Sequence, residues 1–202
     1  YKLFLKKLYE YGFAVIQNCK TEMSSVEKIA KKIGYVRESI FDGLWSFESN
    51  EDKADSAYTQ EELRPHTDST YSNDAPGLQL LLCCHYKASG GESIMVDGFK
   101  IAEKIKNEKK EIYDLLTQIE VTGQYIGDGV FLKAKRPIFR VNTDNELIQV
   151  SFNNYDRAPF KLSEDKTKKF YEAIKEFDLI ANNKEYQWRH VLKPGELSLI
   201  HI

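Results

Sequence analysis

The residues best placed to do chemistry in this sequence are His66-Thr67-Asp68. On an extended segment, side chains two apart point the same way, so a His nitrogen and a carboxylate oxygen converge on one point. A third ligand from a distant strand would complete two imidazoles and one carboxylate on one face of an octahedron. That set leaves open positions and suits non-haem Fe(II). Spacing alone also fits an ordinary polar pair at a surface, and both readings stay open at this level.

A second group lies just upstream. From Arg37 to Arg64 the sequence is polar and irregular, yet it carries Phe41, Trp45, Phe47 and Tyr58. A connection of this length is usually functional or disordered, and the aromatics argue against disorder. By spacing alone these rings read as ordinary core aromatics. Asp55, Ser93 after Gly90-Gly91, and Asn153 and Asn154 at a strand end read as polar loop or turn residues.

Elements that would position these residues follow from periodicity. The opening segment reads as a helix with Leu5, Leu8 and Tyr9 on one face, stopped at Gly12, and Phe13–Ile16 as a strand. Ser24 and Glu27 form a capping-box pair for a helix lined by Val26, Ile29, Ala30 and Ile33. Leu78–Cys84 is a buried strand that Gly90-Gly91 turns into a second strand, Ser93–Val96. Residues 99–107 and 111–118 read as short helices. Strands follow at 137–141 and 147–152, joined through Asn142–Asn145. Ser163 opens a helix bearing Phe170, Ile174 and Phe177, and 187–192 is the last strand before Pro194-Gly195. Many strands without βαβ alternation predict a β-sandwich or jelly roll with helices packed outside.

Composition narrows the function classes. The 202 residues carry 29 basic and 31 acidic side chains, a formal charge of -2. A generic nucleic-acid or anionic-membrane binder would show a basic excess. No apolar run approaches the roughly 20 residues needed to span a bilayer. Three cysteines, two of them adjacent, make a poor disulfide framework. A soluble, intracellular protein is expected, with cytoplasm and mitochondrion left open, without nucleic-acid or membrane partners and with a homodimer compatible.

Seven runs, in order along most of the chain, resemble one family: 37–41, 55–59, 66–71, 76–79, 90–93, 96–99 and 153–158. They are similar to the gamma-butyrobetaine/trimethyllysine branch of the TauD-like, 2-oxoglutarate-dependent dioxygenases. Within it, Glu38-Ser39-Ile40, His66–Tyr71 and above all Asn153-Asn154-Tyr155-Asp156-Arg157-Ala158 look most like the trimethyllysine-hydroxylating members. The resemblance implies a double-stranded β-helix, mainly β with flanking helices, using Fe(II), 2-oxoglutarate as cosubstrate and O2, with ascorbate as an optional reductant. It implies hydroxylation of N6-trimethyllysine, a small quaternary-ammonium amino acid, at its third carbon, as in carnitine biosynthesis. Hydroxylation of gamma-butyrobetaine and a non-catalytic ammonium-binding jelly roll are the alternatives.

Position by position, the resemblance makes His66 and Asp68 the first two iron ligands. Ser93 stands where related enzymes have a Thr that hydrogen-bonds 2-oxoglutarate. Phe41, Trp45 and Tyr58 match a trimethylammonium cage. Asp55 replaces an Asn that lies near the carboxylate of butyrobetaine; a carboxylate there would instead suit the α-ammonium of trimethyllysine. Asn153 or Asn154 matches a second carboxylate-binding position.

The resemblance puts a third ligand roughly a dozen residues past the Pro194-Gly195 turn, followed by an Arg for 2-oxoglutarate. Seven residues follow Gly195 here. His201 comes too early, and His85 and His190 do not match. The expectation is one catalytic domain over 1–202, truncated at its C-terminus and lacking the family's N-terminal zinc domain. Leu197–Ile202 is expected to be foreign to the gene.

Overall fold

A computed structural model describes residues 2–48, 58, 60–127, 129–159 and 161–202. In chain order the elements are α1 (Lys2–Tyr11), β1 (Phe13–Ile16), α2 (Met23–Ile33), β2 (Leu78–Leu82), β3 (Ser93–Val96), α3 (Gly98–Glu108) and α4 (Lys110–Gln118). They continue with β4 (Glu120–Gly127), β5 (Val130–Pro137), β6 (Phe139–Val141), β7 (Leu147–Val150), α5 (Glu164–Ala181), β8 (Gln187–His190) and β9 (Leu197–His201). The chain forms two compact units: Tyr1–Glu62 with Pro76–Ser93 and His190–Ile202, and Leu63–Ala75 with Ile94–Arg189.

In the first unit, α1 ends where Gly12 takes φ +74°, a backbone conformation that only glycine adopts at no steric cost. The chain then enters a three-stranded antiparallel sheet of order β1-β9-β2, with Leu199 opposite both Ala14 and Leu80. The segment that the sequence reading sets apart as foreign is therefore the middle strand. Leu197 and Leu199, two apart on one face, are fully buried. The strand end is fixed by His201 N donating to the Gly12 carbonyl and Ile202 N to the Gly77 carbonyl, both at 2.8 Å.

The turn before β9 is held by one buried carboxylate. Glu196 accepts from Lys193 N at 3.0 Å, His190 Nε2 at 2.7 Å and Gln17 Nε2 at 3.0 Å. These bonds, the backbone one first, lower its pKa to about 2.

Two local expectations fail here. The N-cap of α2 is Glu22, without a side-chain cap bond, and Glu27 instead pairs with Lys31 at 2.6 Å. Because the helix begins ahead of Ser24, that serine lies inside the first turn and cannot cap it. Gly90-Gly91 does not join two paired strands either: β2 pairs with β9, and β3 with β8.

The second unit holds the larger core. Phe139, Phe170, Ile101, Ile105 and Leu116 are essentially unexposed. The three helices contribute one face each, Ile101/Ile105 from α3, Tyr113/Leu116 from α4 and Phe170/Ile174/Phe177 from α5. Phe177 stands between Phe139 and Phe152, with ring centroids at 5.8 and 4.4 Å. Burying each such ring contributes about 1.5–3 kcal/mol. Asp97 caps α3 by accepting from Phe99 N and Lys100 N. β6 and β7 form the foreseen hairpin, its turn held by Asn142 Oδ1 accepting from Asp144 N and Glu146 N. The hairpin β4–β5, eight residues in each strand, is unforeseen, although the sequence Asp128-Gly129 is a standard turn signal. Among the described residues, no helix is long and apolar enough to cross a membrane.

Candidate functional site

His66, Asp68, Asn153 and Asn154 all belong to the second unit. The His66-Thr67-Asp68 segment is irregular rather than part of a named strand. It behaves as an extended strand nonetheless, because Thr67 N donates to the Phe152 carbonyl at 2.8 Å and Phe152 N donates to Thr67 Oγ1 at 2.9 Å. With Thr67 facing this neighbour, His66 and Asp68 project together. His66 Nε2 lies 3.3 Å from Asp68 Oδ1.

The chemistry of that pair is set by the other imidazole nitrogen. His66 Nδ1 lies 2.7 Å from the Arg64 carbonyl, which can only accept, so Nδ1 carries the proton. In the neutral ring, Nε2 and Asp68 Oδ1 then face each other with lone pairs. Such a pair calls for a cation between them, a proton or a metal ion. Burial on its own lowers the His66 pKa. The hydrogen bonds to Asp68 and Arg64 and the charges of Asp68 and Asp156 outweigh it, and the net shift is upward. Two donors at right angles, each about 2.1 Å from one metal ion, lie about 3.0 Å apart, close to the observed spacing. The donor set therefore fits one edge of a histidine–carboxylate iron site, with the Arg64 carbonyl as the orienting outer contact. Among the described residues, no third His, Cys, Asp or Glu joins them.

Asn153, Tyr155 and Asp156 grip this segment. The Tyr155 hydroxyl accepts from Arg64 N at 2.9 Å, and its ring meets His66 edge-on at 5.7 Å. Asn153 Nδ2 donates to the Thr67 carbonyl at 3.3 Å and to Asp156 Oδ2 at 3.0 Å, while its Oδ1 accepts from Tyr155 N and Asp156 N. Asp156 Oδ2 also accepts from Thr70 Oγ1 at 3.2 Å. Both amide hydrogens and both acceptor directions of Asn153 are thus engaged. Of the two asparagines, Asn154 is the exposed one, its Oδ1 accepting from Arg157.

Close backbone approach completes the support. A Cβ at Gly123 on β4 would lie 2.5 Å from the Thr70 carbonyl carbon, so glycine is what lets the chain after Asp68 seat against β4. Ser69, between Asp68 and Thr70, takes φ +55°, a left-handed conformation in which a non-glycine residue is strained.

The remaining candidates fall in the first unit. Phe41 stacks on Trp45 at 4.9 Å between centroids, and Tyr58 lies 6.1 Å from Trp45. The structure brings the three together and adds Phe47, 4.8 Å from Trp45 and 6.4 Å from Tyr58. Phe47 stands two residues from Trp45, and that same-side spacing was the available signal. Trp45 and Phe47 are 36 % and 43 % exposed, so the cluster opens to solvent rather than filling a core. Ser93 begins β3, half-buried, after two glycines of positive φ. Asp55 lies outside the described residues.

The taurine catabolism dioxygenase TauD, TfdA family model matches residues 2–201. The chain belongs to this family. As a TauD-family chain it is 35 % identical over 195 residues to trimethyllysine dioxygenase of Meyerozyma guilliermondii, covering 94 % of this chain and 49 % of that one. It is 31 % identical to the mitochondrial trimethyllysine dioxygenase of Homo sapiens, covering 98 % and 49 %. It is 27 % identical to human gamma-butyrobetaine dioxygenase, covering 96 % and 51 %. The chain thus spans about half the length of the curated relatives it matches. A taurine dioxygenase from Burkholderia xenovorans superposes with TM-score 0.67 at 12 % identity, over 99 % of this chain and 70 % of that one. The fold is that of TauD-like jelly-roll dioxygenases. The family match runs through β9, in keeping with the place of that strand inside the sheet.

Proposed function

We propose that this chain is the iron- and substrate-binding portion of an Fe(II)- and 2-oxoglutarate-dependent dioxygenase that hydroxylates N6-trimethyllysine at its third carbon. The observation that carries the reading is the 3.3 Å His66–Asp68 donor pair in a chain of this family. Identities of 31–35 % with trimethyllysine dioxygenases, against 27 % with the butyrobetaine enzyme, support the choice of substrate.

When bound, Fe(II) with 2-oxoglutarate and O2 supplies the oxidising power to hydroxylate an unactivated carbon, with succinate and CO2 as coproducts. The chain's own residues hold and orient. His66 and Asp68 offer two adjacent donors, and the Arg64 carbonyl fixes the imidazole so that Nε2 is the free one. Phe41, Trp45 and Tyr58, with Phe47, present aromatic faces to the trimethylammonium group. Asp55 meets the α-ammonium, Asn154 the substrate carboxylate, and the Ser93 hydroxyl donates to 2-oxoglutarate. The reading favours Asn154 over Asn153 for the substrate role because the Asn153 amide holds Thr67 and Asp156.

The test is competition between N6-trimethyllysine and gamma-butyrobetaine, using the protein at its natural length and reading both hydroxylated products and succinate. The reading expects trimethyllysine to be preferred. Asp55→Asn should move the kcat/KM ratio toward butyrobetaine by about 1–3 kcal/mol, since it removes an attraction for one substrate and a repulsion for the other. A wild type preferring butyrobetaine would overturn the substrate. Binding without iron-dependent succinate release would make the protein an ammonium-binding module.

A further inference from the structure

A cavity of about 20 Å³ opens in the second unit beside the turn that follows Asp68. Its polar side includes Thr70, Arg136 on β5, Ser151 after β7, Asn154 and Arg157, and Val121, Ile138, Phe152 and Ile174 give it an apolar side. Its size exceeds what one water needs. Its polar lining is one-sided: two guanidinium groups, hydroxyls and amides, with no carboxylate among the described lining residues.

Among the described residues, neither guanidinium is paired with a carboxylate. Arg136 donates to the Thr70 carbonyl through Nη2 at 3.3 Å, and Arg157 donates to Asn154 Oδ1 through Nη1 at 3.0 Å while lying 5.1 Å over the Tyr171 ring. A guanidinium carries five N–H donors, so most of the donors on each remain for an incoming group. Burial, then the charge of Arg140, lowers the Arg136 pKa, and the charge of Asp74 opposes this. Asp156, next to Arg157 in the chain, already accepts from Thr70 and Asn153. A half-buried cation without a paired anion is costly, and an anion bound from outside offsets that cost.

We propose that the cavity between Arg136 and Arg157 is a carboxylate-binding subsite, with Asn154 and Ser151 completing the hydrogen bonds. Planar bidentate recognition by arginine matches a carboxylate in shape and charge. The inference rests on the proposed function only for which molecule brings the carboxylate: that reading gives Asn154 to the amino-acid substrate, and the 2-oxo acid cosubstrate is the other outcome of the test.

The experiment titrates the 202-residue chain with acetate, 2-oxoglutarate, N6-trimethyllysine and N6-trimethyllysinamide, following the guanidinium Nε–H resonances of Arg136, Arg157 and the exposed Arg140 by heteronuclear NMR. Acetate should shift Arg136 and Arg157 and leave Arg140 unmoved. One of the two larger carboxylates should do so at lower concentration. If trimethyllysine is the source, its amide loses the effect; if 2-oxoglutarate is, both lysine compounds are silent. Arg136→Met and Arg157→Met should each weaken that ligand about ten-fold or more. The wild-type resonances report even if a variant fails to fold. Arg136 and Arg157 unmoved by every carboxylate, or moved no more than Arg140, would overturn the subsite. Carboxylate binding here in a protein that never releases succinate would keep the subsite and sink the enzymatic reading. Turnover with Arg136 unmoved would do the reverse.

Discussion

Asn153 holds the main-chain carbonyl of Thr67, the residue between His66 and Asp68, through its side-chain amide at 3.3 Å. The contact makes Asn153 a positioning residue for the donor pair. Asn153→Ala should cost roughly 1–3 kcal/mol of stability by leaving the Thr67 carbonyl and Asp156 short of a donor. It should also weaken Mn(II) binding, followed by electron paramagnetic resonance, because the segment between the donors loses its tether. Chemical unfolding and metal titration check both. Unchanged metal affinity with weakened substrate binding would return Asn153 to the substrate site.

Gly123 is the second support. Its missing side chain admits the backbone of Thr70, and a methyl group would have to displace backbone rather than a flexible side-chain end. Gly123→Ala should destabilise by about 2 kcal/mol or more. Gly34→Ala, at a position facing open space with extended backbone, is the neutral control. Urea midpoints decide between them, and equal midpoints would show that the Thr70 turn yields freely.

How far the sequence revealed the site follows from where these contacts come from. His66 and Asp68 were legible because same-side projection at a spacing of two is a local property of extended chain. The aromatic group was legible as side-chain type, and Phe47 belonged with it by the same spacing. Asn153 was not, because its commitment depends on a segment some 86 residues away in sequence. The same limit explains the fold. Helices 98–108, 110–118 and 164–181 followed from periodicity. The pairing of β2 with β9 rather than β3 is a tertiary choice that Gly90-Gly91 does not encode. The closing segment was set apart as foreign, yet its alternating Leu197 and Leu199 suit a central strand.

Glu196 gives the first unit an acid-sensitive element. Its folded pKa, about 2, lies below its ordinary 4.5, so the native state favours the charged form. The stabilisation is complete above pH 4.5 and is lost as pH falls from there toward 2. Its size is about 1–3 kcal/mol. Glu196→Gln should be less stable at neutral pH and should flatten the acid limb in that window. Unfolding curves across the range test this, and an identical acid limb in the variant would remove Glu196 as its source.

The central claim is that His66 and Asp68 hold the iron. Its most direct test is iron-dependent succinate release, stimulated by N6-trimethyllysine, from the natural-length protein and from His66→Ala and Asp68→Ala variants whose folding is checked by circular dichroism. Loss of one of three protein ligands should abolish release in each variant. Succinate release at the wild-type rate from either variant would contradict the assignment.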